Sequence, residues 1–420
     1  VKKKDQNSRP FSGLRSTLRA FRYRNYRLYF GGQGISTTGS WIQQVAMGWL
    51  VFRLTGSAFY LGVVAFFAQV PVLFMTPLAG VLADRWDRMR IMLVAQTLAM
   101  AQALILAFLM FSKSIAPWHL LPLAFLLGVA NAIDAPARHS MIVQVVERKE
   151  DLGNAIALNS AMFNGARLVG PPIAGILVGL VGEGICFLIN GVSYLAVIFA
   201  LLAMKIAPRQ RQGKIIGFWP ELREGFAYTF RSRPIRLVIT LIAWVSLVGM
   251  SYVTLMPVFV SRVLNGGPHS LGFLMGAAGC GALLGALVLA ARRSTEGLQK
   301  TLVGGSLLFA LGLVAFSQVR HFWQAMILML FTGLGMMVQM AAANTYIQHA
   351  VSDDKRARVM SIYTMAFMGM TPLGSFLAGT FASAVGVRWT VLCGGVLTLA
   401  GTLIFASRFL PQHGRLEKSR

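Results

Sequence analysis

The sequence predicts an all-α polytopic membrane protein of twelve transmembrane helices, arranged as two pseudo-symmetric six-helix bundles. Three observations carry this expectation. Of 420 residues, 56% are hydrophobic and only 13% charged, where a soluble domain carries about 25% charged residues. Apolar runs of the roughly 20 residues needed to cross a bilayer recur along the whole chain. Lysine and arginine rise and fall from one connection to the next, as in a chain that crosses repeatedly.

The runs lie near 28–52, 57–83, 90–111, 118–142, 153–182, 184–204, 235–261, 270–291, 297–319, 321–348, 357–384 and 388–410. Of the 39 Lys and Arg residues, 33 fall on one face and five on the other, with Arg167 inside a run. The positive-inside rule then places both termini in the cytoplasm. Topology and contact with anionic lipid headgroups account for the net charge of +25. The basic segments lack the folded soluble domain of a nucleic-acid binder. Cys186, Cys280 and Cys393 each sit in an apolar run and read as small buried residues, without a disulfide framework.

The connection 205–234 divides the chain into an N-terminal bundle with its basic tail (1–204), a cytoplasmic linker (205–234) and a C-terminal bundle (235–420). In the linker, Phe218, Trp219, Leu222 and Phe226 are spaced for a short amphipathic helix on the cytoplasmic surface; a plain linker with a helical turn is the simpler reading. A shift of 204 sets Val143-Gln144 over Ile347-Gln348 and Arg88 over Arg292. Each match is weak alone. With the six-plus-six loop pattern they suggest duplicated halves around a central site.

The loop after the second run reads Gly80-Val81-Leu82-Ala83-Asp84-Arg85-Trp86-Asp87-Arg88-Met89-Arg90. It resembles the cytoplasmic signature of the major facilitator superfamily. Gly80, Asp84, Arg85 and Arg88 match; Asp87 stands where Gly is usual and Met89 where a basic residue is usual. A glycine allows close helix approach, a carboxylate can face a helix N-terminus, and the arginines can pair with acids across the cytoplasmic mouth. The resemblance implies a gate that holds the outward-facing state. The plainer reading is positive-inside anchoring alone. In the fifth run, Gly170, Pro171 and Gly175 resemble the antiporter motif of facilitator-type exporters, a site of tight helix packing; Gly and Pro are also simply common in membrane helices.

Arg24-Asn25-Tyr26-Arg27-Leu28-Tyr29, Trp41-Ile42-Gln43-Gln44, Leu54-Thr55-Gly56-Ser57-Ala58, Asp134-Ala135-Pro136-Ala137-Arg138 and Asn154-Ala155-Ile156-Ala157-Leu158-Asn159-Ser160 are similar to the enterobactin-exporter-like branch of that superfamily. The branch includes siderophore exporters and macrolide-type drug efflux pumps. The resemblance implies a monomeric secondary active exporter of small amphiphilic molecules in a bacterial inner membrane, working by alternating access as a proton-coupled antiporter. A lipid or lysophospholipid flippase of the same fold is the alternative.

Ionisable groups within the membrane are functional candidates, because each costs at least about 2.5–3.5 kcal/mol to insert. Two lie deep: Asp134 in the fourth run and Arg167 in the fifth. Their depths differ by roughly 6 Å at about 1.5 Å per residue, within reach of an arginine side chain. Asp134 can therefore pair with Arg167, or with Arg138 one turn away as part of the cytoplasmic gate. If the gate claims Asp134, coupling can lie at Glu183 near the outer surface or in the substrate's own protonation. Gln33, Thr37, Trp41 and Gln44 recur at helical spacing in the first run, Ser160, Asn164 and Arg167 in the fifth, and Asn131 shares a face with Asp134. With Gln339 in the tenth run, these are expected to line the cavity or to pair between helices.

An enzyme is not expected. No Walker motif occurs, and the six histidines are scattered, without a metal-binding pair. Neither a cofactor nor a metal is implied. Gly279-Cys280-Gly281 lies inside an apolar run and reads as helix packing, not as a dinucleotide loop.

Overall fold

A computed structural model describes residues 18–205 and 218–417, apart from positions 86, 293 and 295; the side chains of 76–85, 149, 218–222, 353, 354, 357 and 410–417 also lie outside the described residues. No strand occurs among the described residues. In chain order the long helices are α1 (Arg24–Thr55), α2 (Ala58–Arg85), α3 (Arg88–Phe111), α4 (Pro117–Val145), α5 (Leu152–Val181) and α6 (Glu183–Ala203). Then come α7 (Phe218–Arg231), α8 (Arg233–Arg262), α9 (Pro268–Ala290), α10 (Leu298–Gln318), α11 (Phe322–Ala350), α12 (Asp353–Val385) and α13 (Val387–Glu417). A helix satisfies its own backbone, the condition for crossing a hydrocarbon layer.

Among the described residues, eleven helices are long and apolar enough to cross a membrane. The exceptions are the short α7 and α1. At 32 residues α1 has the length, but Gln33, Ser36, Thr37 and Gln43 dilute its apolar character. All four are buried against neighbouring helices. Within α8, Val245–Gly249 forms a π turn, closed by Met250 N–H donating to Val245 O at 3.0 Å.

Packing repeats along the chain. Helix α1 lies against α5 and α6, α2 against α4, and α3 against α4 and α6. Likewise α8 lies against α12 and α13, α9 against α11, and α10 against α11 and α13. The two sets meet along α5–α9 and α2–α12. Gly182 and Gly386, 204 positions apart, each make the one-residue bend between two helices with φ of +84° and +93°. Side chains are strained in that backbone region, so glycine serves there.

Both seams between the sets are closed by reciprocal glycines. A methyl group added to Gly272 would lie 2.4 Å from Pro171 O, and one on Gly175 would lie 2.6 Å from Pro268 O. Across the other seam, Gly379 meets Ala58 O at 2.7 Å and Gly62 meets Ser375 O at 2.6 Å by the same measure. Arg262 adds a hydrogen bond to Gly56 O at 2.6 Å. These contacts gather at the Lys/Arg-poor end. There Trp118, Trp323 and Trp389, each in the first turn of its helix, stand 60–75% exposed, as interfacial tryptophans do.

At the basic end, the linker helix α7 packs against α12. Arg358 pairs with Glu224 at 2.6 Å, Lys355 sits 5.0 Å over the Tyr228 ring, and Gly225 packs on Ile362. A 3-10 turn, Arg19–Arg22, precedes α1. It is tied to the buried Asp151, which pairs with Arg22 and accepts from Tyr23 OH at 2.7 Å. The three cysteines are free.

Candidate functional site

Helix α4 sets Asn131, Asp134 and Arg138 one turn apart. Asp134 is buried, accepts from Gln96 Nε2 on α3 at 2.9 Å, and pairs with Arg138 Nε at 3.3 Å. Of the two arrangements open in the sequence, the structure therefore holds Asp134–Arg138. The pair borders a cavity of about 40 Å³ inside the α1–α6 set, lined also by Gln33, Thr37, Ser40, Asn131 and Tyr194. That is room for roughly three waters. Gln33 Nε2 and Gln96 Oε1 are buried without a protein partner, which leaves hydrogen-bonding capacity around the cavity.

A buried amide network extends from this cavity toward the other end of the set. Tyr194 OH lies 3.5 Å from Ser40 Oγ and accepts from Asn190 Nδ2 at 3.4 Å. Asn190 Nδ2 also donates to Gln43 Oε1, and Gln43 Nε2 to Gln102 Oε1, both at 2.8 Å. On the same helix as Asn190, Glu183 makes a two-point ion pair with Arg53, at 2.7 and 3.2 Å. Gln43, Gln96, Gln102, Asn190 and Tyr194 were not anticipated. The signal was available in α6, where Glu183, Asn190 and Tyr194 follow helical spacing.

Arg167 occupies a different place. Its guanidinium lies 5.8 Å from the Trp41 ring centroid on α1, and Nη2 is 3.8 Å from Met336 Sδ on α11. Its carbonyl abuts Gly279 on α9. Trp41 is braced by Phe163, with ring centroids 6.2 Å apart, and by Gly170. Arg167 thus stands between the two sets, while Asp134 points into one of them. Of the two pairings open to Asp134, the one with Arg167 does not form; Asp134 pairs with Arg138 of its own helix.

The remaining expected residues divide. Gln44 is exposed, and its neighbour Gln43 takes the buried position. Asn164 Nδ2 donates to Ser160 O of its own helix at 2.9 Å. Gln339 is buried beside Gly305 of α10, one turn along α11 from Met336. Gly80, Asp84 and Arg85 fall in the last turns of α2, and their side chains lie outside the described residues. Arg88 donates to Ser140 O at 3.5 Å. Asp87 caps α3 by accepting from Met89 N at 2.9 Å, which accounts for an acid at that position. Gly170, Pro171 and Gly175 do pack helices: Gly170 on α1, the other two on α9. Gly279 and Gly281 likewise serve close helix contacts. No group of metal-ligating side chains occurs among the described residues.

The family model described as "Transmembrane secretion effector" matches residues 15–419. The Staphyloferrin A transporter of Staphylococcus aureus (strain NCTC 8325 / PS 47) is 27% identical over 90% of this chain and 95% of its own length. Macrolide efflux protein A of Streptococcus pyogenes is 22% identical over 91% and 96%. Among solved structures, a bacterial homolog of the human lysosomal transporter Spinster, inward-facing and unoccupied, aligns with a TM-score of 0.71 at 16% identity, over 96% of this chain and 99% of that one. The chain therefore belongs to the transmembrane secretion effector family of the major facilitator superfamily and is a multi-pass membrane efflux transporter, not an enzyme.

Proposed function

We propose that the protein is a secondary active exporter of small amphiphilic molecules, siderophore- or drug-like, that works by alternating access as a proton-coupled antiporter in a bacterial inner membrane. The observation that carries this reading is the buried Asp134, held by Arg138 and Gln96 at a polar cavity within one half of the molecule. A proton taken up by Asp134 removes the charge that holds Arg138, and so links protonation to the packing of α3 and α4.

In this reading α1 is a twelfth span, its polar residues turned inward. Residues 1–204 and 235–420 are related six-helix bundles joined by the linker 205–234, and both termini are cytoplasmic. The chain acts as a monomer among membrane lipids. The glycine seams at the Lys/Arg-poor end support an inward-facing state. The return to the outward-facing state would close the opposite end through Gly80, Asp84, Arg85 and Arg88.

The test is uptake into everted vesicles of a siderophore, a macrolide and a lysophospholipid, with and without an imposed pH gradient. Wild type should accumulate the siderophore or the macrolide when the lumen is acid. Asp134→Asn should lower this about tenfold or more and remove its pH dependence, the scale of a lost proton-transfer group. Full, pH-dependent transport by Asp134→Asn sinks the coupling proposal. Movement of the lysophospholipid alone would favour the flippase alternative.

A further inference from the structure

We infer that Arg167 is the docking point for an anionic group on the transported molecule, so that the protein exports anionic amphiphiles and the membrane potential helps to expel them. This rests on the exporter reading and adds the charge of the cargo. An arginine is always charged. The contacts of Arg167 are the Trp41 ring at 5.8 Å and Met336 Sδ at 3.8 Å, and neither neutralises a full charge. Among the described residues no carboxylate forms an ion pair with it. Asp134 is taken by Arg138, Asp151 by Arg22, Glu183 by Arg53, and Glu224 by Arg358.

A purely structural arginine spends its N–H groups on carbonyls. Arg388 does so with Ser317 O and Gln318 O, and Arg262 with Gly56 O. Arg167 donates to no carbonyl among the described residues. What it offers is a fork suited to a carboxylate or phosphate oxygen pair. The Trp41 indole beside it suits the apolar body that carries such a group. Because α1, α5, α9 and α11 meet here, an anion bound to Arg167 would bias the arrangement of both sets. Expelling an anion from an inside-negative cell runs down the electrical potential, so this site supplies a driving force that does not depend on Asp134.

The probes are dansyl-glycine, an anionic amphiphile, and dansyl-glycinamide, its neutral counterpart, bound to purified protein and read by fluorescence anisotropy. The anion should bind at least about tenfold tighter, the scale of charge-assisted hydrogen bonds. Arg167→Lys should keep part of the preference and Arg167→Gln none. Equal affinity for the two compounds, affinity for neither, or a preference that survives Arg167→Gln overturns the inference. Wild-type selectivity and the Lys variant decide the matter even if the Gln variant does not fold. In everted vesicles a lumen-positive diffusion potential should speed dansyl-glycine uptake several-fold; uptake indifferent to potential overturns the electrical part. Anion-selective binding without any uptake would overturn the exporter reading and leave the anion site standing.

Discussion

Helices α1–α6 and α8–α13 share a packing order but not an interior. A shift of 204 superposes Gly175 on Gly379 and Gly182 on Gly386, residues that seal the seams and turn the chain. The same shift sets Asp134 over Val338, Arg138 over Ala342, Arg167 over Thr371, Asn190 over Gly394 and Tyr194 over Thr398. The first set encloses an ion pair and an amide network. The second encloses stacked aromatic rings, such as Phe259–Phe316 at 4.4 Å and Phe405–Phe409 at 4.6 Å. The scaffold is repeated and the chemistry is not. The proposed alternating access calls for two matched bodies, while charge is costly in a membrane, and the buried ion pair lies in only one set.

That contrast can be broken first at what the halves share. Gly272→Leu puts a side chain where Pro171 O and Gly175 already sit within 2.8 Å. Transport should fall to about a hundredth or less, since tightly packed seams do not admit added volume. Unchanged transport would mean that the seam does not close in the cycle.

The next effect lies in what the halves do not share. Asn190→Leu strands Gln43 Oε1 in a buried site and should lower stability by about 1–3 kcal/mol. In the other set, Thr398→Val, at the position matched to Tyr194, loses only a hydroxyl bonded to Gly394 O of its own helix and should cost less than about 1 kcal/mol. Melting of both variants in detergent checks the order, and equal losses would erase the distinction. The smallest effect is expected at the linker. Glu224 is half exposed in its pair with Arg358, so Glu224→Ala should cost no more than about 1 kcal/mol and leave transport within about twofold.

The spans could be read from the sequence because hydropathy acts along the chain and needs no partner. The limit is α1, read as a span at 28–52 although its glutamines and serines keep it outside the eleven helices apolar enough to cross; Gln43 is held by Gln102 of α3 and Asn190 of α6. The π turn at Val245–Gly249 leaves the residue pattern unchanged and was invisible for that reason. Side-chain partners were harder. Depth along two helices allowed an Asp134–Arg167 pair, but depth says nothing of the direction in which each helix faces. Gln43 and Gln44 differ in the same way: one residue is a rotation of about 100° around the helix axis, which buries Gln43 in the amide network and leaves Gln44 exposed. The role of Gly170 and Gly175 was accessible because small residues in a membrane helix have few other uses.

The central claim is that one half carries the proton-linked group. The direct measurement is substrate-driven proton movement in everted vesicles whose lumen has been acidified and is reported by a quenched fluorescent amine. Adding a transported substrate to wild type should restore fluorescence as protons leave the lumen in exchange. Asp134→Asn, inserted at equal level, should give no such rise. A rise in Asp134→Asn equal to that in wild type would contradict the account and move the coupling group elsewhere in the molecule.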